Sequence, residues 1–502
     1  MESEERAALK LLTGFFLSVL SGVLLWISLP GKGPGWVAWV ALVPLFVALL
    51  KYASARMVFG LYYALSIGIM ALGLVWGAPR NMSIIYAAPL IAAAVFFLLT
   101  FWQKPLVDKN HNSSFTVLTV VSFVGIEFVK QYTPVALFGS LGLTQYRNPE
   151  LIQAAGLLGV YGITFAIVMA NCTIALLIAR ADKLDAIKMQ LMADVMVLVI
   201  LGGATYYLWV MPARVDGRMR VAAVQFNYQR SEGPSQGLEK WLQHKEQKDW
   251  RGMTMAALDI LEPMTERAVG QGALMVVWPE TVLQVDPERH PDIAMRLSSL
   301  ANRLKVYIIV PYFSIVEGQE GLPHPEFENV AAVISPNGRL IQRYLKQRRF
   351  GLFGYERGPS GDRTELVSTI TATIGLMICY DADFPAIPRD YALKGAEVFV
   401  VPTDDIAGFI SDQHRAIMVF RAVENMRTLI KSDLTNGTLI IGPKGRILAD
   451  PPDRLVLSVS DIELVSANMP SYVLSVLFGL SCLILIPVVA FFSARQKDSD
   501  QG

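Results

Sequence analysis

The sequence has only three cysteines and five histidines in 502 residues, and its charges nearly cancel, leaving a net +1. So few cysteines exclude a disulfide framework, the more so because Cys172 and Cys482 lie in strongly apolar runs. Cys379 alone stands in polar-rich sequence and is expected to be a free thiol. The balanced charge, with no Gly-rich phosphate loop, sets nucleic acid aside as a partner. No His and Cys spacing suited to a metal is present, so neither a metal nor a cofactor is expected. Charge is scarce overall, at 17% against 53% hydrophobic, which excludes an ordinary soluble protein and assigns the excess to membrane segments. Internal repeats are lacking too, and the one low-complexity stretch is the polar tail at 496–502.

A hydrocarbon core about 30 Å thick needs roughly 20 apolar residues per helix. Eight segments qualify: 11–29, 35–50, 57–76, 82–102, 114–129, 157–178, 190–211 and 471–492. No small-residue cleavage site follows the first, so the N-terminus is expected to stay attached. With the N-terminus inside, the short inner connections carry eleven lysines and arginines and the outer ones four. That asymmetry puts both termini on the cytoplasmic side and the long insert between the last two spans outside. The expected division is 1–212 for seven membrane helices, 213–466 for a soluble domain, and 467–502 for the eighth helix and a cytoplasmic tail. In a bacterium that outside is the periplasm or outer membrane surface, so a bacterial chain is expected in the plasma (inner) membrane with the insert on that side.

Within the insert, short apolar runs alternate with amphipathic stretches. Strands are predicted over 220–227, 273–280, 306–313, 328–335, 339–346, 373–381, 396–403, 438–443 and 446–449. Helices are predicted over 240–270, 291–304, 388–394 and 413–428. Buried strands separated by helices indicate an α/β domain.

Three residues sit at predicted strand ends, where α/β folds place chemistry: Glu280, Lys346 and Cys379. A thiol becomes a good nucleophile by losing its proton, so it needs a base and a positive surrounding. Glu280 supplies a base and Lys346 a positive charge; the Lys346 ammonium and the backbone N–H of Tyr380 would serve an oxyanion. His414 is an alternative base.

WPE at Trp278–Glu280, YLK ending at Lys346 and ICYD at Ile378–Asp381 resemble, in order, the Glu-Lys-Cys triad of the nitrilase superfamily. Spans on both sides narrow the resemblance to the bacterial apolipoprotein N-acyltransferase family. PGWVAWVALVPLF from Pro34, EFVK from Glu127, LGLTQY from Leu141 and GVYGITF from Gly159 support it, as do VQFN, QHRA, FRAVEN and TNG in the insert. The resemblance implies a polytopic α-helical base of about eight transmembrane helices carrying a four-layer αββα domain. It also implies Glu280 as base, Lys346 as transition-state stabiliser and Cys379 as nucleophile. Tyr380 and Asp381 then fill the positions beside the nucleophile, where the family usually has tyrosine and glutamate. Two stretches depart from the family. KQRRFGLFGYERGPSGD replaces a PFGEYVP-like segment, leaving Glu356 as candidate for a fourth essential carboxylate, and PTDDIAGF replaces an Asn-Asp-Gly-Trp type loop. The Gly- and Phe-rich stretches 137–146 and 350–361 are candidates for lipid access and a lid. With them come Gln145, Phe350, Phe353 and Tyr355 as substrate contacts, beside Trp278 and His414.

The activity so implied moves an acyl chain from a membrane phospholipid through a Cys379 thioester to the α-amino group of a diacylated lipoprotein, in a membrane-embedded monomer. Alternatives remain open. Water in place of the amine would make the chain a membrane-bound amidase or esterase, and a different amine would make it another acyltransferase. A chain without catalysis would be a scaffold.

Overall fold

The computed structural model describes residues 2–75, 87–226, 243–320, 322, 325–349, 358–405, 408–435, 437–451, 456–467, 469 and 471–499. The chain divides into two compact units, Met1–Met211 with Pro470–Gly502, and Pro212–Met469.

In the first unit, six helices are long and apolar enough to cross a membrane, with their apolar windows in Glu4–Ser28, Arg56–Val75, Asn112–Lys130, Val160–Ala179, Ile187–Val210 and Val473–Phe491. A seventh span arises if Ala88–Leu98 and Thr100–Asp108, bent by 41° at their break, count as one. The eighth expected span, 35–50, is helical but broken into Gly35–Val37, Ala38–Ala41 and Val43–Lys51. At 1.5 Å per residue this stretch reaches only about 24 Å, short of the bilayer core. Lipid-facing composition is plain on the last two helices: Val199 is 66% exposed and Ile484 64%, surfaces that only an apolar solvent tolerates. Inside the bundle Glu127 ties a turn down. Its carboxylate accepts from the Leu141 N–H at 2.7 Å and the Thr164 hydroxyl at 2.6 Å.

The second unit contains twelve strands among the described residues: β1 (Gly217–Gln225), β2 (Met275–Val277), β3 (Tyr307–Ile315), β4 (Phe327–Ile334), β5 (Leu340–Leu345), β6 (Leu366–Ser368), β7 (Thr373–Leu376), β8 (Val398–Thr403), β9 (Thr428–Asp433), β10 (Leu439–Ile441), β11 (Ile447–Ala449) and β12 (Val456–Leu464). They form two six-stranded sheets, ordered β12-β1-β2-β3-β4-β5 and β11-β10-β9-β8-β7-β6. The centre of each is parallel, β1-β2-β3 in one and β7-β8-β9 in the other. The sheets face each other, and the Ser432 hydroxyl of β9 donates to the Val224 and Val277 carbonyls of the opposite sheet at 2.7 and 2.9 Å. Helices Trp250–Gly270 and Pro291–Leu304 share one apolar core with β1 to β4. Helices Ala386–Leu393 and Gly408–Asn425 pack on the other sheet, where a Cβ on Gly375 would press on the Tyr391 side chain at 2.9 Å. These are the αββα layers expected, and strands covered on both faces explain the continuous apolar runs.

The structure corrects three details. The helix expected to run to 428 stops at Asn425, and Thr428–Asp433 is a fully buried strand instead. Strands β6 and β12 occupy stretches assigned no element. The helix expected from 240 is continuous only from Trp250, and 227–242 lie outside the described residues.

Candidate active site

Parallel strands leave their C-terminal ends at one edge, and the site is assembled there. Glu280 follows β2, Lys346 follows β5, and Cys379 follows β7. The Lys346 ammonium donates to Glu280 Oε1 at 2.9 Å, both side chains only 3% exposed. Asn329, on β4, donates its amide N–H to the same oxygen at 2.7 Å. A buried carboxylate costs several kcal/mol unless it is paired, and here a cation and an amide answer one oxygen.

Cys379 opens a tight 3-10 turn, Cys379–Asp383, and adopts φ 47°, the left-handed region that a residue with a Cβ rarely enters. The conformation lifts the sulfur out of the strand line. Burial first, then the Glu280 charge, push the thiol well above its ordinary value, while Lys346 and the backbone N–H of Asp404 pull it down. Burial and the Glu280 charge thus favour the thiol over the thiolate.

Asp381 locks this turn to the lysine. Its Oδ1 accepts from the backbone N–H of Gln347 at 3.1 Å and of Arg348 at 2.6 Å. Its Oδ2 accepts from the Tyr344 hydroxyl at 2.8 Å and the Ile378 N–H at 3.1 Å. Burial pushes the carboxyl up to about 6, and Lys346 and these donors oppose the shift. The aspartate thus reaches, with one methylene fewer, from the nucleophile's turn to the segment after Lys346.

Behind the sulfur lies a second charged cluster. The Lys431 ammonium, on β9, donates to Asp405 Oδ2 at 2.7 Å, Asp433 Oδ2 at 3.0 Å and the Gly437 carbonyl at 2.8 Å. His414 sets Nδ1 2.7 Å from Asp405 Oδ1 and Nε2 3.3 Å from Asp383 Oδ1. Burial lowers the imidazole, but Asp405 and then Asp383 outweigh it and raise His414 above its ordinary value. Burial likewise pushes Asp383 up to about 6, with His414 opposing. A Cβ at Gly437 would meet the Lys431 ammonium and the Asp405 carboxylate, so a side chain there would have to displace this pair. Donor atoms of Cys379, Asp405 and His414 lie within 4.8 Å of one another. Asp405 is already neutralised by Lys431 and the imidazole, and an added cation would face that ammonium.

The remaining expected residues scatter. Trp278 is fully buried and donates its indole N–H to Thr265 at 3.1 Å, so it belongs to the apolar core and does not face substrate. Gln145 is fully buried in the first unit, donating to the Gly35 carbonyl at 2.7 Å and accepting from Trp39 at 3.2 Å. Tyr380 stacks edge-on against Phe384, with ring centroids 4.9 Å apart. His414 is buried beside the sulfur with two carboxylates. Glu356, Phe350, Phe353 and Tyr355 lie outside the described residues. Sequence reading singled out PTDDIAGF but neither Asp404 nor Asp405 within it, and it passed over Asn329, Asp383, Lys431 and Asp433; the signal for Asn329 was a polar residue beside the apolar run of β4, whereas β9 around Lys431 is itself polar.

Comparison with known proteins places each unit. Residues 220–468 match the family model described as carbon-nitrogen hydrolase. Residues 21–173 match the apolipoprotein N-acyltransferase N-terminal domain. An apolipoprotein N-acyltransferase of Geobacter metallireducens is 26% identical over 96% of both chains. Apolipoprotein N-acyltransferase 1 of Treponema denticola is 24% identical over 94% of both. A deaminated glutathione amidase of Synechocystis is 28% identical over 42% of this chain and 89% of its own. Among solved structures, an amidase from Nesterenkonia sp. is similar, with 21% identity and a TM-score of 0.39, covering 51% of this chain and 94% of that one. The second unit is thus a carbon-nitrogen hydrolase domain of the nitrilase superfamily, joined to a membrane unit. The whole chain belongs to the apolipoprotein N-acyltransferase family.

Proposed function

We propose that this chain is an apolipoprotein N-acyltransferase that works by two-step transfer through Cys379. The observation that carries the reading is the buried Lys346–Glu280 pair at the nucleophile's turn, in a chain similar end to end to proteins of that name. In the first step Glu280 takes the thiol proton as sulfur attacks a phospholipid ester carbonyl. A C–S bond forms, the ester C–O bond breaks, and Glu280 returns the proton to the departing lysophospholipid oxygen. Lys346 and the Tyr380 backbone N–H face the oxyanion. In the second step the α-amine of a diacylated N-terminal cysteine attacks the thioester. A C–N bond forms, the C–S bond breaks and the thiol is restored.

Membrane helices suit this chemistry because donor and acceptor both carry acyl chains, and each CH₂ drawn into water costs about 0.8 kcal/mol. The lysine and arginine asymmetry supports a catalytic unit on the outer face of a bacterial plasma membrane. Incubation with phospholipid should yield acyl-Cys379, seen as a mass increment on the peptide holding it and absent in Cys379→Ala. Addition of a diacylated lipopeptide should discharge it as N-acyl peptide. Failure to trap acyl on Cys379 refutes the mechanism, and free fatty acid without N-acyl peptide makes the chain a hydrolase.

A further inference from the structure

Asp404 follows β8 directly, and its backbone N–H points at the Cys379 sulfur. Its carboxyl Oδ2 lies 3.4 Å from the hydroxyl of Thr281, the residue after Glu280, which turns there with φ 56°. The backbone of Asp404 therefore adjoins Cys379, and its carboxyl adjoins the residue after Glu280, whose charge acts on it. The groups facing it are Glu280 from the end of β2, Asp433 from β9, its neighbour Asp405, and Lys245 from the segment before the helix at Trp250. Cations in the cluster are already committed: Lys346 to Glu280, Lys431 to Asp405 and Asp433, His414 to Asp405 and Asp383. Among the described residues, the ion pairs within 4.0 Å include none to Asp404. Burial, and then the Glu280 charge, hold its proton on well above the ordinary carboxylate range. Lys346 is committed to Glu280, and Lys245, the cation facing Asp404, is itself lowered by burial and is outweighed by burial of the carboxyl and the Glu280 charge, so the two neighbouring carboxyls keep one proton.

The proton count of the reaction asks for such a group. Acylation moves one proton, from sulfur through Glu280 to the departing alkoxide. An acceptor amine arrives largely as ammonium near neutral pH, and its nitrogen must lose two protons to end as an amide N–H. One returns to the sulfur through Glu280. The other needs a second base.

We propose that Asp404 is that second carboxyl: with Glu280 it binds the cationic α-ammonium of the acceptor and takes the proton that Glu280 cannot. The proposal rests on the reading that the acceptor is an amine. In the acyl-enzyme Lys346 balances Glu280, and Asp404 is protonated. When the ammonium enters, it adds a cation beside the two carboxyls, and the Asp404 proton passes to solvent. The Asp404 carboxylate then takes the first proton from nitrogen, freeing its lone pair to attack. As the C–S bond breaks, Glu280 takes the second and gives it to the thiolate. One proton has gone to solution, and Asp404 is protonated again. The carboxyl pair thereby favours a cationic acceptor over water or a neutral nucleophile.

The test uses the full-length chain in detergent, loaded with phospholipid to acyl-Cys379 and chased either with a diacylated lipopeptide or with neutral hydroxylamine. Asp404→Asn keeps the side-chain shape and removes the acid. It should slow discharge to the lipopeptide about 100-fold or more, the scale of a lost general base, and discharge to hydroxylamine less than about twofold. Wild-type KM for lipopeptide should rise towards about tenfold per pH unit below neutrality, the mark of one proton released on binding. Equal slowing with both acceptors, or no slowing, overturns the proposal. If Asp404→Asn forms no thioester, the wild-type profile decides, and a KM independent of pH overturns it. Wild type that discharges normally beside an unaffected Asp404→Asn sinks Asp404 alone, whereas wild type that never makes N-acyl peptide sinks the amine-acceptor reading and this proposal together.

Discussion

Asp381 shows what a single side chain contributes here. Four donors converge on its two oxygens, so replacing one oxygen by an amide turns an N–H towards donors that need an acceptor. Asp381→Asn should lower stability by about 1–3 kcal/mol, the cost of leaving buried donors unpaired, visible as a lower melting temperature in detergent. It should also slow formation of acyl-Cys379, because the turn bearing the sulfur is tied to the lysine segment through this carboxylate. Residues of this kind are hard to find in sequence. Glu280, Lys346 and Cys379 stood out as reactive groups at strand ends, a position visible in one dimension. Asp381 was named only through the family resemblance and Asn329 not at all, because both act through partners that distant chain delivers, Glu280 for Asn329 and Tyr344, Gln347 and Arg348 for Asp381. Trp278 misled for the same reason, because its place in WPE gave no sign that the indole turns into the core.

At the scale of the element, the helix Gly408–Asn425 carries His414 against the loop after β8 and the end of the nucleophile's turn. Two carboxylates raise this imidazole above its ordinary value. A histidine whose folded pKa exceeds its unfolded value stabilises the fold fully below about pH 6.5 and loses that contribution as pH climbs through the folded value. Melting temperature should therefore fall as pH rises from about 6.5. His414→Gln should flatten that slope and cost about 3–5 kcal/mol, as for a broken buried pair. A slope unchanged in the variant would show that other groups set it. Strand β9 escaped sequence reading because TLIKSD holds a lysine, a serine and an aspartate, all fully buried. Strand pattern alone assigns such residues to loops, and only the facing Asp405, Gly437 and opposite sheet make their burial tolerable.

For the whole molecule, the charge asymmetry of the connections predicts that the catalytic unit faces away from the cytoplasm. Arg363 is 77% exposed at its side chain, so a cysteine there is open to large reagents. Arg363→Cys should react with a membrane-impermeant maleimide polymer on intact spheroplasts, and labelling only after lysis would reverse the orientation. Sequence by itself indicated where apolar segments lie, the α/β character of the insert and a carboxylate, an ammonium and a thiol at strand ends, because these follow from local hydropathy, strand period and residue chemistry. Tertiary structure alone decided which apolar segments stay whole and which break, and which polar residues accompany the sulfur. Helix breaks depend on neighbours, and a buried charge survives only where distant chain delivers its counter-charge, which is information that no local stretch contains.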